Sequence, residues 1–252
     1  MPNATILGLS GCSSSGKTTL SRLLRSVFPH TFILHEDDFY KPEDSLPFKD
    51  GLRNWDCAAS IDMDGLQAAL QYIHEHGTSP RWLESREDQN AVGPSGVDVA
   101  VVERLSAEVR QWASQGAGKQ TLGEEKPLAI LDGFLLFGKN VNAAVRTRID
   151  IKMLLTANYA KAKERRERRS GYVTLEGFWE DPPGYVDRVV WPNYVEEHGF
   201  LFEGGNVEGT VNEKAAAELG LCVCPGHGDW SMEKVLEWAV ETVKLELEGR
   251  VG

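Results

Sequence analysis

Short, almost unbroken apolar runs alternate along this chain with longer stretches in which apolar residues return every three or four positions. The runs fall at residues 4–10, 31–34, 127–131, 149–155 and 219–223. Apolar on both faces, they suit buried strands of a parallel sheet. Helical spacing follows the first run at Leu20, Leu23, Leu24, Val27 and Phe28. A second helix is expected from Ser60, as N-cap, to about His76, where Gly77 stops it. Others are expected over 97–113, over 158–169, and from Ser231 as cap to about Glu248. The stretches 41–56, 78–96, 114–126 and 171–187 are polar or rich in glycine and proline and read as loops, that over 78–96 as a mobile one. Strands alternating with helices predict an α/β fold, a five-stranded parallel sheet flanked by helices, in one domain spanning 1–252.

The turn between the first strand and first helix carries the strongest chemical signal. Gly11-Cys12-Ser13-Ser14-Ser15-Gly16-Lys17-Thr18 fits G-x-x-x-x-G-K-[ST], the loop that binds a nucleoside triphosphate. Its flanks are those the chemistry needs. Glycines let the backbone curl so that its N–H groups face phosphates, and the helix adds its positive end. Lys17 is expected to reach the β- and γ-phosphates, and the Thr18 hydroxyl to ligate Mg²⁺. Candidate nucleotide contacts are thus Gly11, Ser13, Ser14, Ser15, Gly16, Lys17, Thr18 and Thr19. The fold expected is that of the P-loop NTPases.

In an open parallel sheet the carboxyl ends of the strands share one edge, where ligands bind. Asp37 and Asp38 follow the second strand and Asp132 ends the third, so all three can meet one Mg²⁺-nucleotide. One of the first pair would take a proton from an acceptor hydroxyl or hold a Mg²⁺-bound water, and Asp132 resembles a Walker-B-type acid. The basic run 161–169 (KAKERRERR) reads as a lid over about 158–187, whose Arg165, Arg166 and Arg169 close on the phosphates. Trp55 and Tyr172 are placed to stack on a flat heteroaromatic ring, with a cation–π gain if that ring is charged, and Asp56 to accept from a ribose diol. Cys222 and Cys224 with His227 offer three zinc-type donors at an unusual spacing and no fourth, which disfavours zinc. The segment 224–229 reads as a loop beside the nucleotide base.

Composition narrows the field. The 252 residues are 41% hydrophobic and 26% charged, ordinary for a globular protein, with a net charge of −11 that disfavours nucleic acid as a partner. No apolar run is long enough to span a membrane. The N-terminus carries no leader-like segment, and the four cysteines are few and scattered, so a cytoplasmic protein is expected, with nuclear access open. A monomer or weak homodimer is expected.

The segments GCSSSGKTT (11–19), HEDDFYKPE (35–43), NWD (54–56), LDGFLLF (131–137), RRERRSGY (165–172) and DPPGYVDRVVWPNY (181–194) together resemble nicotinamide riboside kinases, which stand with uridine kinases among the nucleoside-kinase-like P-loop proteins. The resemblance implies ATP-dependent phosphorylation of the 5′-hydroxyl of nicotinamide riboside, with nicotinic acid riboside as a further acceptor, in NAD salvage. It implies that Asp37 is the general base close to Mg²⁺ and that Asp38 is secondary. It further implies that Phe39 and Tyr40 line the riboside pocket, that Trp55 and Tyr172 stack on the pyridine, and that Asp56 takes the ribose diol. Thr18 and Asp132 match Mg²⁺-associated positions. The chain departs from the pattern in a long, unassigned insertion at about 78–126, in an extended 173–180, and in Glu167, where a basic residue is expected, so the division of labour among the lid arginines stays open. A uridine or cytidine kinase is the nearest rival. A GTP-driven switch lacks its N/T-K-x-D tetrad here, and the intact Asp37 and Asp132 argue against a non-catalytic module.

Overall fold

The computed structural model describes residues 2–85, 93–122, 126–169, 171–174 and 177–251. Five parallel strands form its sheet: β1 (Thr5–Gly11), β2 (Thr31–His35), β5 (Leu128–Asp132), β6 (Ile151–Leu155) and β9 (Leu221–Val223), in the order β2-β5-β1-β6-β9. The alternation of side chains feeds two cores. Leu7 and Leu9 of β1 and Leu128 and Ile130 of β5 point to one face, and Ile6, Ala129 and Leu131 to the other.

The first face is covered by α1 (Lys17–Val27) and α9 (Met232–Glu248), and beside them lie α3 (Val99–Ala113) and α4 (Gly116–Leu122). The unassigned insertion is therefore a helical brace. Its Arg104 pairs with Glu108 and with Glu237 of α9, and the Trp112 indole donates to Glu248 at 2.6 Å. Residues 86–92 and 123–125 lie outside the described residues. The second face is covered by α2 (Met63–His76), α7 (Trp191–His198) and α8 (Glu213–Leu219), with the short α5 (Ala143–Arg146) beyond.

Several expectations shift. Asp62, not Ser60, caps α2: its carboxylate accepts from the Gly65 N–H. The reason is that Tyr40 bridges Ile61, which keeps that residue extended, while the Ser60 hydroxyl bonds the Asn54 carbonyl. The expected loop 41–56 contains a hairpin, β3 (Phe48–Lys49) with β4 (Leu52–Arg53), and 114–126 contains α4. Within the lid, α6 (Tyr159–Glu167) is followed by β7 (Tyr172–Thr174) paired with β8 (Gly177–Trp179). The chain then makes a wide π-type turn, Val186–Val190, before α7. Pro192 supplies the cause: it has no N–H to donate four residues back, and the Trp191 N–H reaches five back to the Val186 carbonyl. Among the described residues no helix is long and apolar enough to cross a membrane.

His198, at the end of α7, is fully buried, and its Nδ1 lies 3.2 Å from the Tyr194 carbonyl oxygen. Burial drives its pKa down to about 4 from 6.5. The folded protein thus keeps it neutral while the unfolded chain protonates it below 6.5, so its contribution is whole above that pH and is lost as pH falls toward 4. The loss is at most about 3 kcal/mol. Calorimetric Tm values at pH 7 and pH 5 should fall less for His198→Gln than for the unaltered protein. Equal falls would show that His198 does not set the acid sensitivity.

Candidate active site

The site begins with the turn after β1. Gly11 is there because a β-carbon would sit 2.2 Å from the Leu155 carbonyl oxygen, and because its φ is +152°. The chain then bends through Ser14 at φ +62° and Gly16 at φ +102° into α1, as a loop wrapping phosphate must. Lys17 is buried, and its Nζ donates to the Cys12 carbonyl at 2.9 Å, spanning the loop from within. Ser13, Ser14, Lys17 and Thr18 face a cavity; Gly11 and Ser15 are buried behind them, and Thr19 lies within α1.

The neighbouring strands bring the acids to the same edge. In the register His35 pairs with Asp132, and Leu9 with Asp132. Asp37 lies one short 3-10 turn beyond β2 and lines the cavity with Asp132. Asp132 is buried, with Oδ2 3.6 Å from His35 Nδ1. Burial pushes its carboxyl up, yet hydrogen bonding to His35 and the charge of Lys17 outweigh burial and hold it below the ordinary carboxylate value. Beyond His35 at 3.6 Å, too long for an ordinary hydrogen bond, buried Oδ2 has no close partner, and Thr18 stands beside the carboxylate. An orphaned carboxylate oxygen beside a hydroxyl is an all-oxygen donor set, which fits Mg²⁺. Among the described residues no group of three or more His, Cys, Asp or Glu is arranged to hold a metal, Cys222, Cys224 and His227 included.

The cavity's other end is aromatic. Tyr40, Trp55, Phe134 and Trp179 line it. Tyr40 meets Trp55 edge-on at 5.2 Å and lies nearly parallel to Phe134 at 6.2 Å, while Trp179 tilts against Trp55 at 5.5 Å. Phe39 is a correction to the expected lining: it is 7% exposed and packs in the core beneath α2, because the 3-10 turn sends successive side chains to different sides. Asp38 is likewise not among the lining residues. The backbone of Tyr172 belongs to β7, and its side chain lies outside the described residues. Trp179, which the sequence reading passed over, is the lid aromatic that faces Trp55. Its only sequence signal was an aromatic pair, Phe178-Trp179, in the segment that looked extended.

The lid arginines divide. Arg165 reaches the phosphate loop, with NH1 3.4 Å from the Ser14 carbonyl, and Arg169 lines the cavity. Arg166 departs from the expected phosphate role. It is buried, donates to both Asp56 oxygens at 2.9 and 3.3 Å, and to both Asp181 oxygens at 2.6 and 3.1 Å. The one-residue offset on α6 turns it about 100° from Arg165, toward the pocket wall. Burial pushes the Asp56 carboxyl up and Arg166 opposes that shift. Trp179 Nε1 donates to Asp181, and the Tyr185 hydroxyl accepts from the Trp55 N–H at 3.0 Å, so lid and wall are laced together. Glu36, also passed over, is fully buried beside this edge, and burial raises its pKa to about 7. The loop 224–229 is tied to the base of α6, where Lys161 bonds the Gly228 carbonyl and Asp229.

Comparison with known proteins gives consistent names. The chain is 35% identical over 243 residues to a nicotinamide riboside kinase of Schizosaccharomyces pombe, covering 96% of this chain and 97% of that one. It is 31% identical over 241 residues to a nicotinamide riboside kinase of Saccharomyces cerevisiae, covering 94% and 95%. It is 28% identical over 214 residues to human nicotinamide riboside kinase 1, covering 83% and 86%. No protein-family model matches.

Removing one partner of a buried ion pair leaves the other charge stranded. Arg166→Ala should therefore lower stability by about 3–5 kcal/mol, and adding Asp56→Asn should recover part of that loss. Denaturant titrations of the two single variants and the double variant check this; strictly additive effects would deny the coupling.

Proposed function

The chain belongs to the nicotinamide riboside kinase family, and we propose on that premise that it transfers the terminal phosphoryl group of ATP to the 5′-hydroxyl of nicotinamide riboside. The observation that carries the proposal is one cavity with two unlike kinds of lining. The phosphate loop, Asp37 and Asp132 line it together with the aromatic side chains Tyr40, Trp55, Phe134 and Trp179.

ATP lies with its phosphates on the loop amides between Gly11 and Thr18. Lys17 exchanges the Cys12 carbonyl for phosphate oxygens, which places a buried cation where charge is transferred. Arg165 and Arg169 come to the same phosphates from the lid. Thr18 and Asp132 would hold Mg²⁺, with Asp37 close by, and the ion when bound offsets phosphate charge. The riboside enters from the aromatic end. Trp55 presents its face to the pyridinium, where stacking and cation–π attraction act together, and Trp179 covers from the lid. Asp56 accepts from the ribose diol, its carboxylate steadied by Arg166. This fixes the 5′-hydroxyl before the phosphate, and Asp37 takes its proton as the 5′-oxygen bonds to the γ-phosphorus and the bond from that phosphorus to the bridging oxygen breaks, releasing ADP. The closed lid keeps water from competing as acceptor.

Two variants and a panel test the reading. Asp37→Ala should reduce kcat by roughly 10²–10⁴-fold while ATP still binds in a titration; near-normal turnover would remove Asp37 as base. Trp55→Ala should raise the riboside KM by about tenfold and leave the ATP KM within about twofold, alongside the lowered Tm expected when a buried Trp is truncated. An equal rise in both would argue against ring stacking. ADP release should favour the pyridine ribosides over uridine, cytidine and adenosine; a preference for uridine would keep the phosphoryl transfer and discard the acceptor.

A further inference from the structure

We propose that Glu36 is a positioning residue for the acceptor side of the site, holding by its reach rather than its charge the loop that carries Phe134. Three observations converge on it. First, Glu36 Oε2 accepts from two consecutive backbone donors, the Phe134 N–H at 2.8 Å and the Leu135 N–H at 3.1 Å. These donors leave the end of β5, where no further strand or helix satisfies them, and a buried N–H needs an acceptor. Second, the carboxylate lies so close to the chain that a β-carbon on Gly133 would fall 2.6 Å from Oε2 and 2.8 Å from Glu36 Cβ. Gly133 has no left-handed φ to explain it, so the close approach of Glu36, with Leu136 Cδ2 at 2.7 Å, is the reason for glycine after Asp132. Third, the parallel register sets His35 opposite Asp132, which brings the next residues, Glu36 and Gly133, together.

What the clamp holds is functional. Phe134 lies nearly parallel to Tyr40, and Tyr40 meets the edge of Trp55, so the placement of the Phe134 backbone fixes one end of the aromatic wall. The phosphate loop is held by contacts of its own, Gly11 against the Leu155 carbonyl and Lys17 on the Cys12 carbonyl, and Glu36 reaches it only through its charge near Lys17, which Glu36→Asp retains. Loss of the clamp therefore disturbs the acceptor end and spares the nucleotide end.

The inference rests on the proposed reaction, and the test separates the two. Glu36→Asp keeps the charge and shortens the reach by one methylene; Glu36→Gln keeps the reach and removes the charge. Glu36→Asp should raise the KM for nicotinamide riboside by about tenfold, Glu36→Gln by about threefold or less, and both should leave the ATP KM within about twofold. If Glu36→Gln is the more damaging, the role is electrostatic and the inference fails. If both substrates' KM values rise together, or neither moves, it also fails. Should Glu36→Asp not fold, Gly133→Ala, which presses on the same carboxylate from the loop side, is read in its place against the same ATP control. Should the unaltered protein phosphorylate a different nucleoside, the proposed function falls, and the same comparison made with that nucleoside still decides the role of Glu36.

Discussion

The acceptor side of this protein depends on one guanidinium. Arg166 is buried, and burying a cation is costly unless its hydrogen bonds are met. Here Asp56 and Asp181 each offer both oxygens, and the face of Tyr185 lies 5.5 Å away. Asp56 belongs to the loop before α2 and Asp181 to the end of the lid, so this cation joins segments far apart in sequence. The Trp55 backbone, the Trp179 indole and Tyr185 are fastened to the same cluster. The shape of the aromatic wall around Asp56 is therefore set by electrostatic satisfaction, with aromatic packing laid over it.

The nucleotide end obeys a different constraint. There the backbone does the work: Gly11 tight against the Leu155 carbonyl, Ser14 and Gly16 at positive φ, and Lys17 drawn across to Cys12. Side-chain identity counts for little beyond Lys17 and Thr18. That contrast explains why the phosphate loop can be read from a short string of letters and the acceptor pocket cannot. A backbone constraint leaves glycines at fixed spacing in the sequence. A pocket assembled from the loop after β2, the loop after β5 and the lid leaves single residues with no spacing at all.

Particular residues show where legibility ends. The strands were visible because a doubly covered sheet demands apolar letters on both faces, and Asp37 and Asp132 because strand ends of a parallel sheet converge. α4 was invisible: GAGKQTL has weak helix propensity and is helical through its packing on α3 and α9. Ser60 is as good an N-cap as Asp62 on paper, and only the pairing of Tyr40 with Ile61 decides between them. Phe39 and Tyr40 are adjacent aromatics that sequence treats alike, yet a short 3-10 turn sends one into the core and the other into the cavity. Glu36 stands beside two more obvious acids and is distinguished from them only by the register of β2 on β5.

The two adjacent arginines of α6 give the lid a property neither has alone. Arg165 reaches the Ser14 carbonyl of the phosphate loop, and Arg166 is locked to Asp56. Both ride one helix, whose backbone cannot move one residue without the next. A displacement of α6 that moves Arg165 from the Ser14 carbonyl therefore also pulls on Arg166 at Asp56. The phosphate loop and the Asp56 wall are thus joined through a single helical turn. On the proposed reaction, a lid seated on Asp56 keeps Arg165 beside the phosphate loop, where it can meet the transferring phosphate, and a lid displaced from Asp56 withdraws it.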